Sequence, residues 1–559
     1  MSLKAVFHFQ PYLRRNNLFL QAVIVNALVL IISIYIRPLI PPDETRYISV
    51  AWEMHTNKNF LIPLLNQEPY SHKPPLLFWL INLFWSVFGN SEVVARFAIS
   101  IFSLGNLFIV RFLAKLIYPE NSAAQSWAPL ILASFLLWNI YCSLIMFDCL
   151  LSFFVLSYVA CLLLFCQGKG VKYVLFAGLL CGLSMLTKGP VALIYSLPVL
   201  FLYPFWRDKL HHKLIYIQWY FGVLTSVIFG LFFLLIWAFP AARFGGSIYA
   251  NQLFWTQTFD RISGVLAHLR PWYWYLPFIP LSLIPISLSR SFWKKSLFNR
   301  PKKSDLFCIL WFLVPVVLFS MIRSKQLHYL VPILPALAIF WGSKKQNWNQ
   351  SKIILIIINL FFSLICFFLP LIYNSLLKNV TIFSLSQIWS IIPLILSLII
   401  ILWGKSTETI DKMSLLGTPI CILALLGTIK PILDSNYNLK YAAQQIALFQ
   451  KQNRQIAVWE KYSDEYHFFG KLKNKLDVVN NFVWLQKNPA SIVVYNEHKN
   501  NGELDKKSIV SFNYAGYKTY FIEAATLLTF LCQRDNNPST SECNLIFSLF
   551  SKNKDENLI

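Results

Sequence analysis

Apolar runs long enough to cross a bilayer recur along the first three quarters of the chain, starting at Leu18. They are continuous rather than alternating, and short polar loops separate them, which predicts α-helices surrounded by lipid or by other helices. Thirteen spans are predicted, near residues 18–36, 93–113, 123–146, 149–166, 171–187, 190–206, 214–239, 273–289, 305–322, 327–342, 352–373, 386–403 and 413–431. The pattern therefore predicts a polytopic α-helical membrane protein.

The pattern changes near residue 432. Residues 1–431 contain 12 Asp and Glu, whereas the much shorter segment 432–559 contains 13. An amphipathic stretch, Leu439–Phe449, predicts a helix in this polar segment. Strands are predicted at Ile456–Trp459, Ser491–Tyr495 and Tyr517–Ile522. We therefore predict two domains, a transmembrane domain over 1–431 and a soluble α/β domain over 432–559.

Lysines and arginines between the spans predict the topology, because cytoplasmic loops carry an excess of them. Four loops are the most basic: Arg207–Lys213, Arg290–Lys303, Lys344–Lys352 and Lys405–Lys412. Assigning these to the cytoplasm places the N-terminus inside and the C-terminal domain outside. The short aromatic segment Pro75–Gly89 begins with two prolines and would break the parity of crossings, so we expect an interfacial helix there.

Composition supports the membrane class and excludes others. Only 13% of residues are charged and 56% are hydrophobic, whereas soluble domains have about 25% charged residues. The high hydrophobicity also excludes intrinsic disorder. The formal net charge of +24 does not indicate a nucleic-acid partner, since the cations are spread over short membrane loops.

A minority of charged groups contradicts the topological rule, since they fall on the predicted outer face. Charges placed where a membrane disfavours them are commonly functional. They come from separate loops: Asp43, Glu44, Arg46, His72, Lys73, Asp148, Lys188, Asp260, Arg261, His268, Arg270, Arg323 and Lys325. Their convergence predicts an outer-face site for an anionic substrate.

Two short motifs in the first outer loop carry candidate chemistry. In Pro42-Asp43-Glu44, Asp43 is suited to cap a helix of roughly 44–55, and a carboxylate at this depth is also suited to act as a general base. In Tyr70-Ser71-His72-Lys73-Pro74-Pro75, Lys73 is either a snorkelling interfacial lysine or a fixed cation for a phosphate.

Together these motifs resemble a known family. The segments are Pro42-Asp43-Glu44-Thr45-Arg46-Tyr47, His72-Lys73-Pro74-Pro75, Met146-Phe147-Asp148, Leu186-Thr187-Lys188-Gly189-Pro190, Ala267-His268 before Pro271-Trp272-Tyr273-Trp274-Tyr275, and Lys325 with Tyr329-Leu330-Val331-Pro332. In this order they resemble the bacterial GT-C membrane glycosyltransferases, most closely the lipid A aminoarabinose transferases and their protein O-mannosyltransferase-like relatives.

The resemblance implies a GT-C fold with about thirteen transmembrane helices in a bacterial plasma membrane. It also implies inverting transfer of a sugar from a polyprenyl-phosphate donor to a lipid A-like lipid, a glycan or a protein. Asp43 would be the catalytic carboxylate, with Glu44 and Asp148 as further acidic residues of the site. The candidates to bind the donor phosphate are Lys73, Arg270, Lys325, Arg261 and Tyr329.

The resemblance further implies a divalent metal (zinc, magnesium or manganese) held by a histidine and a glutamate. His268 would match the histidine, but His72 stands where the family has the glutamate. Because histidine also binds zinc, a His72/His268 site is conceivable, and so is its loss.

Other expectations concern class, cysteines and assembly. A transporter or flippase of lipid-linked sugars is the alternative function, although it predicts charges near the midplane and repeats that the sequence lacks. Cys532 and Cys543 fall in the outer domain and are able to pair in an oxidising compartment. We expect a monomer embedded among membrane lipids.

Overall fold

The computed structural model describes residues 3–208, 213–256, 269–294, 301–376, 385–498 and 502–534. The chain forms two compact units. The larger one comprises Met1–Arg37, Met54–Leu64 and Pro69–Ile432, and the smaller one comprises Pro38–Glu53, Leu65–Glu68 and Leu433–Ile559. The smaller unit therefore includes two segments of the first loop in addition to the polar C-terminal segment predicted from the sequence.

Long apolar helices make up most of the larger unit. Within the described residues, eight helical stretches are long and apolar enough to cross a membrane. The helices that contribute to them are Leu3–Ile36, Glu92–Ile117, Phe147–Cys166, Tyr216–Asn251, Lys303–Met321, Lys352–Leu376, Ile391–Trp403 and Thr407–Tyr437. The protein is thus a multi-pass membrane protein, as predicted.

Several other predicted spans, 123–146, 190–206, 273–289 and 327–342, consist of short consecutive helices. The shorter α-helices of the larger unit are Leu76–Phe88, where the interfacial helix is predicted, Lys172–Lys188, which matches one predicted span, and Ser122–Ser134, Leu136–Tyr141, Leu197–Phe201, Tyr203–Trp206, Phe278–Ser282 and Leu334–Ser343. The 3-10 segments are Pro190–Tyr195, Trp272–Tyr275, Ile286–Leu288, Arg290–Trp293, Leu327–Ile333, Lys345–Asn347 and Leu385–Ser390, and Gln252–Thr256 is a π-helical turn. Prolines begin or interrupt many of these pieces, because proline lacks the amide hydrogen that continues a helix. The number of thirteen crossings stays a prediction.

Close helix packing fixes the position of the helix Lys172–Lys188. It lies between Phe147–Cys166 and Tyr216–Asn251. A methyl group built on Gly230 would lie 3.0 Å from the backbone nitrogen of Gly182, so small residues are needed where these backbones approach. The charged C-terminal residue of this helix, Lys188, is thereby held in a defined place.

The smaller unit contains a mixed five-stranded sheet. Two very short strands, β1 (Leu64–Leu65) and β2 (Glu68–Pro69), lie in the first loop. The sheet consists of β3 (Ile456–Trp459), β4 (Asp477–Val479), β5 (Ile492–Glu497), β6 (Val510–Tyr514) and β7 (Tyr517–Glu523), in the order β4-β3-β5-β7-β6. β3 runs parallel to β4 and β5, whereas β7 runs antiparallel to β5 and β6.

Alternating side chains of the central strands fill two hydrophobic cores, one on each face of the sheet. Ile492 and Val494 of β5 belong to one core, and Val493 and Tyr495 to the other. The remaining helices of this unit are Lys440–Lys451, His467–Gly470, Phe482–Lys487, Gly502–Lys507 and Ala524–Arg534. The predicted α/β class of the C-terminal domain is confirmed.

One helix of the first loop runs from Asp43 to Asn57 and is called the Asp43 helix below. Its residues up to Glu53 group with the smaller unit. The Ser49 hydroxyl donates to the backbone oxygen of Asp464 (2.7 Å), and the indole nitrogen of Trp52 donates to the backbone oxygen of Leu472 (3.0 Å). Side-chain hydrogen bonds thus tie this helix to the C-terminal segment within one unit.

Candidate active site

The most strongly buried ion pair of the larger unit joins two helix ends. Asp148 lies in the first turn of Phe147–Cys166, and Lys188 is the last residue of Lys172–Lys188. Their Oδ1 and Nζ atoms are 2.6 Å apart, and the side chains are only 1% and 3% exposed. The sequence predicted both residues on the outer face and left open whether Lys188 only ends a span. The structure makes Lys188 the direct partner of Asp148.

Three further groups surround this ion pair. Lys188 Nζ lies 4.9 Å from the ring centroid of Tyr329, and Lys73 Nζ lies 5.5 Å from that of Phe147. His328 and Lys73, together with Lys188, act electrostatically on the Asp148 carboxylate. One carboxylate therefore faces two lysines and a histidine, so the region (the cation cluster: Lys73, Lys188, His328 around Asp148) carries more potential positive than negative charge.

Lys325 and Arg270 lie on two segments that pair with each other. Leu269 forms an isolated antiparallel bridge with Ser324, and the Arg270 amide donates to the Arg323 carbonyl (3.1 Å). Lys325 Nζ donates to the carbonyl oxygens of Arg270 (3.1 Å) and Ile322. Burial lowers the pKa of the Lys325 amine. Lys325 thus holds the Arg270 backbone in place.

Arg270 itself is exposed, unlike Lys325. Its guanidinium lies 5.7 Å from the ring centroid of Trp274, in the aromatic run that follows. A guanidinium held against an aromatic ring keeps its outer edge free to bind an anion. Of these two predicted phosphate ligands, Arg270 is the one whose charged group faces outward, while Lys325 is occupied by backbone carbonyls.

The two neighbouring acids of the first loop belong to the smaller unit and differ sharply in exposure. Asp43 begins the Asp43 helix with a side chain that is 39% exposed. It accepts a hydrogen bond from the Tyr47 hydroxyl (3.3 Å) and lies 3.8 Å from Arg46. Glu44 is buried, and its Oε2 accepts a hydrogen bond from the Ile40 amide (3.0 Å). Asp43 is therefore the accessible acid, and Glu44 orders the chain that enters the helix.

The predicted metal ligands are only partly covered by the structure. His72 is exposed and stacks on Tyr70, with ring centroids 5.3 Å apart. His268 and Arg261 lie outside the described residues, so the His72/His268 site stays a prediction. Cys543 lies outside them as well, and the predicted Cys532–Cys543 disulfide therefore stays a prediction.

The sequence interpretation missed three cationic residues. His328 directly precedes Tyr329, and its position three residues after Lys325 was an available signal. Arg96 and Arg37 are buried, and Arg96 donates to the carbonyls of Ile34 (2.7 Å) and Arg37 (2.9 Å). Arg37 in turn donates to the Ser143 carbonyl (2.6 Å). Arg96 thus satisfies carbonyl groups at the end of the first helix, which have no partners within the helix, and Arg37 ties that end to Ser143.

Comparisons with known proteins show which sequences and structures the chain resembles. Residues 72–237 match the family model of dolichyl-phosphate-mannose-protein mannosyltransferases. An undecaprenyl phosphate-alpha-4-amino-4-deoxy-L-arabinose arabinosyl transferase of Proteus mirabilis is 29% identical over 316 residues, covering 54% of this chain and 55% of the relative. A Serratia proteamaculans protein of the same name is 27% identical over 377 residues, 65% of this chain and 66% of the relative. The matched part thus spans between half and two thirds of these relatives.

Among solved structures, the chain resembles ArnT from Cupriavidus metallidurans bound to undecaprenyl phosphate, with a TM-score of 0.70. The two are 18% identical, and the match covers 89% of this chain and 97% of the other. The apo state of the same protein gives a TM-score of 0.68. The predicted GT-C fold is confirmed, and so is the resemblance to lipid A aminoarabinose transferases.

Proposed function

We propose that this chain, a GT-C protein of the lipid A aminoarabinose transferase type, transfers a sugar from a polyprenyl-phosphate donor to an acceptor. The observation that carries the proposal is the cation cluster, in which Lys73, Lys188 and His328 surround the single carboxylate of Asp148. An excess of buried or half-buried cations suits a leaving group that is an anionic phosphate. The names of the relatives, which refer to undecaprenyl phosphate and arabinosyl transfer, support the same substrate class.

In the proposed reaction, an acceptor oxygen or nitrogen forms a bond to the anomeric carbon of the donor sugar. The bond from that carbon to the donor phosphate oxygen breaks on the opposite side, so the configuration inverts and polyprenyl phosphate leaves. Asp43 receives the acceptor proton, which its exposed carboxylate is suited to do. Lys73 and Arg270 neutralise the phosphate charge that develops as the bond breaks.

Asp148, Lys188 and Lys325 support these groups. Lys188 neutralises Asp148 and is held 2.6 Å from it, so the pair adds no net charge to the cluster. Lys325 fixes the backbone of Arg270 through the carbonyl hydrogen bond. Tyr329 lies under the Lys188 amine and limits its position. Arg261 is a further candidate ligand of the phosphate from the sequence resemblance.

The proposal also includes the orientation in the membrane, the oligomeric state, the acceptor and the metal site that we expect from the sequence. The N-terminus is in the cytoplasm, the C-terminal domain and transfer site are outside a bacterial plasma membrane, and the protein acts as a monomer. A lipid A-like lipid is the acceptor favoured by the resemblance, ahead of a glycan or a protein. A divalent metal on His72 and His268 remains part of the proposal, and no step above depends on it.

The test compares envelope lipids and glycans from cells with and without the protein by mass spectrometry. We expect one sugar modification to disappear in the deletion and to return with the wild-type chain. Lys73→Ala and Asp43→Asn should each reduce it at least about 100-fold, because each removes a charge that acts in the transition state.

Lys172→Ala is the matched control for Lys73→Ala. Lys172 Nζ lies 5.4 Å from the ring of its neighbour Tyr173, a similar cation–aromatic contact outside the cation cluster. This control should leave the modification unchanged. Wild-type levels in both Lys73→Ala and Asp43→Asn, with all variants present in the membrane, would contradict the proposal. Translocation of a lipid-linked sugar without its consumption would instead support a flippase.

A further inference from the structure

A second group of ionisable side chains lies in the smaller unit and plays no part in the proposed transfer. Glu53 comes from the Asp43 helix, and Asp464 and His467 come from the segment that follows β3. One ligand atom of each side chain lies within 4.8 Å of those of the other two, and all three residues are fully buried. We call this group the acid–histidine cluster.

Hydrogen bonds from outside orient two of its members toward the centre. The two carboxylate oxygens of Glu53 accept from the amides of Asn66 (2.7 Å) and Gln67 (2.9 Å), one oxygen each. His467 Nε2 lies 3.3 Å from the carbonyl oxygen of Asn474. A carbonyl only accepts, so Nε2 carries the hydrogen, and Nδ1 of the neutral ring has a lone pair that accepts from the Tyr462 hydroxyl (2.8 Å) and is able to bind a cation instead. Such outer contacts are typical of groups that bind metal ions.

Asp464 provides the independent observation. Both of its carboxylate oxygens are buried and accept no hydrogen bond from any described residue. Their close neighbours are Nδ1 of His467 and the carboxyl group of Glu53. A buried carboxylate is costly unless its oxygens are hydrogen-bonded or bound to a cation. Apart from His467 and Glu53, which are the other two members of the cluster, the described residues provide no hydrogen-bond donor to the Asp464 carboxylate.

The charges of the cluster also favour a bound cation. Two carboxylates meet one histidine here. Without a cation, two added protons are needed to make the site neutral. One divalent cation balances two carboxylates and a neutral histidine without any added proton.

We propose that Glu53, Asp464 and His467 bind a divalent transition-metal cation, and that the cation fastens the Asp43 helix to the C-terminal segment of the smaller unit. A set of one imidazole nitrogen and carboxylate oxygens is best matched by zinc. The Tyr462 hydroxyl, 2.8 Å from Nδ1, is the donor for this nitrogen when the cation is removed. The proposed site shares no residue with the predicted His72/His268 site.

The test measures the zinc content of the full-length protein purified in detergent, by mass spectrometry of the metal. We expect about one equivalent in the wild-type protein from this site and its loss in Asp464→Asn and His467→Ala. Chelation should lower the melting temperature of the wild type by at least about 4 °C, and added zinc should restore it. Asp464→Asn should respond to neither treatment.

Two controls separate this site from other sources of metal. His498→Ala removes an exposed histidine of the same unit that lies against Tyr517, and it should keep the metal. His72→Ala should also keep it, since His72 belongs to the other predicted site. If the cluster variants do not fold, X-ray absorption of the zinc in His72→Ala decides, because this variant lacks the other predicted site and the acid–histidine cluster supplies one nitrogen and otherwise oxygen ligands.

Three results would each overturn the proposal. They are a metal-free wild type whose melting temperature ignores zinc, an Asp464→Asn variant with wild-type metal content, or an absorption spectrum with two histidine nitrogens. The first of these would show that protons alone neutralise the cluster.

Discussion

Two groups of buried carboxylates in this molecule are surrounded by opposite excesses of charge. In the larger unit, the carboxylate of Asp148 is surrounded by Lys188, Lys73 and His328. In the smaller unit, the carboxylates of Glu53 and Asp464 share one histidine. The first group has an excess of cations, which suits an anionic ligand, and the second has an excess of carboxylates, which suits a cation. The sign of the charge imbalance, rather than burial alone, indicates what each site binds.

Removing the Asp148 charge is the strongest way to test this difference. Asp148→Asn leaves Lys188 buried without its anion, which should cost about 3–5 kcal/mol of unfolding free energy and abolish transfer. The double variant Asp148→Asn/Lys188→Met should regain most of the stability but not the transfer. Thermal unfolding in detergent and the lipid assay measure the two effects. Full recovery of transfer in the double variant would mean that the pair is only structural.

Ligands of opposite charge should stabilise the two groups independently. At 100 times its dissociation constant, a ligand adds about 2.7 kcal/mol to the free energy of unfolding. Undecaprenyl phosphate should therefore raise the melting temperature of the wild type and of Asp464→Asn, but not that of Lys73→Ala. Zinc should raise that of metal-depleted wild type and of metal-depleted Lys73→Ala, but not that of Asp464→Asn. A variant that loses both responses would contradict the separation of the sites.

An exposed ion pair should give the smallest change in the free energy of unfolding, for comparison with the buried Asp148–Lys188 pair. Lys507 and Glu503 are four residues apart on a short helix, 2.6 Å from each other, and nearly half-exposed. Lys507→Ala should change the free energy of unfolding by less than about 0.5 kcal/mol, since water replaces the partner. Thermal unfolding checks this value. A loss comparable to that of Asp148→Asn would show that burial is not what separates these pairs.

The sequence was informative where function depends on short motifs. Lys73 and Asp148 were predicted from short motifs and charge placement, and Tyr329 from the family resemblance; the structure brings all three to the region of the Asp148–Lys188 pair. The apolar pattern predicted the strands β3, β5 and β7, because their buried residues are consecutive or alternate. It did not predict β4 or β6, whose exposed and partly buried residues give a weak signal.

Sequence reasoning failed where partners are far apart in the chain. Glu53 and Asp464 carry no motif that relates them, and only folding brings them together. The short run Asp464-Glu465-Tyr466-His467 was a visible signal within a segment interpreted only as α/β. The pairing of Asp148 with Lys188 was similarly unpredictable, since it depends on how two helices end beside each other. The division of predicted spans such as 190–206 and 273–289 into short helices was not predicted, because hydropathy does not register the amide hydrogen that proline lacks.

The tie between the Asp43 helix and the C-terminal segment also sets an order of events during synthesis. Ser49 and its acceptor Asp464 are 415 positions apart. At about 5–20 residues per second, a ribosome needs roughly 20–80 s to make the chain between them. During this time the face of the Asp43 helix that is buried in the folded protein has not yet met the C-terminal segment, while the intervening helices are inserted. A stop codon or a cleavage near residue 433 would leave that face permanently bare, so we expect such a fragment to be a target for quality-control proteases.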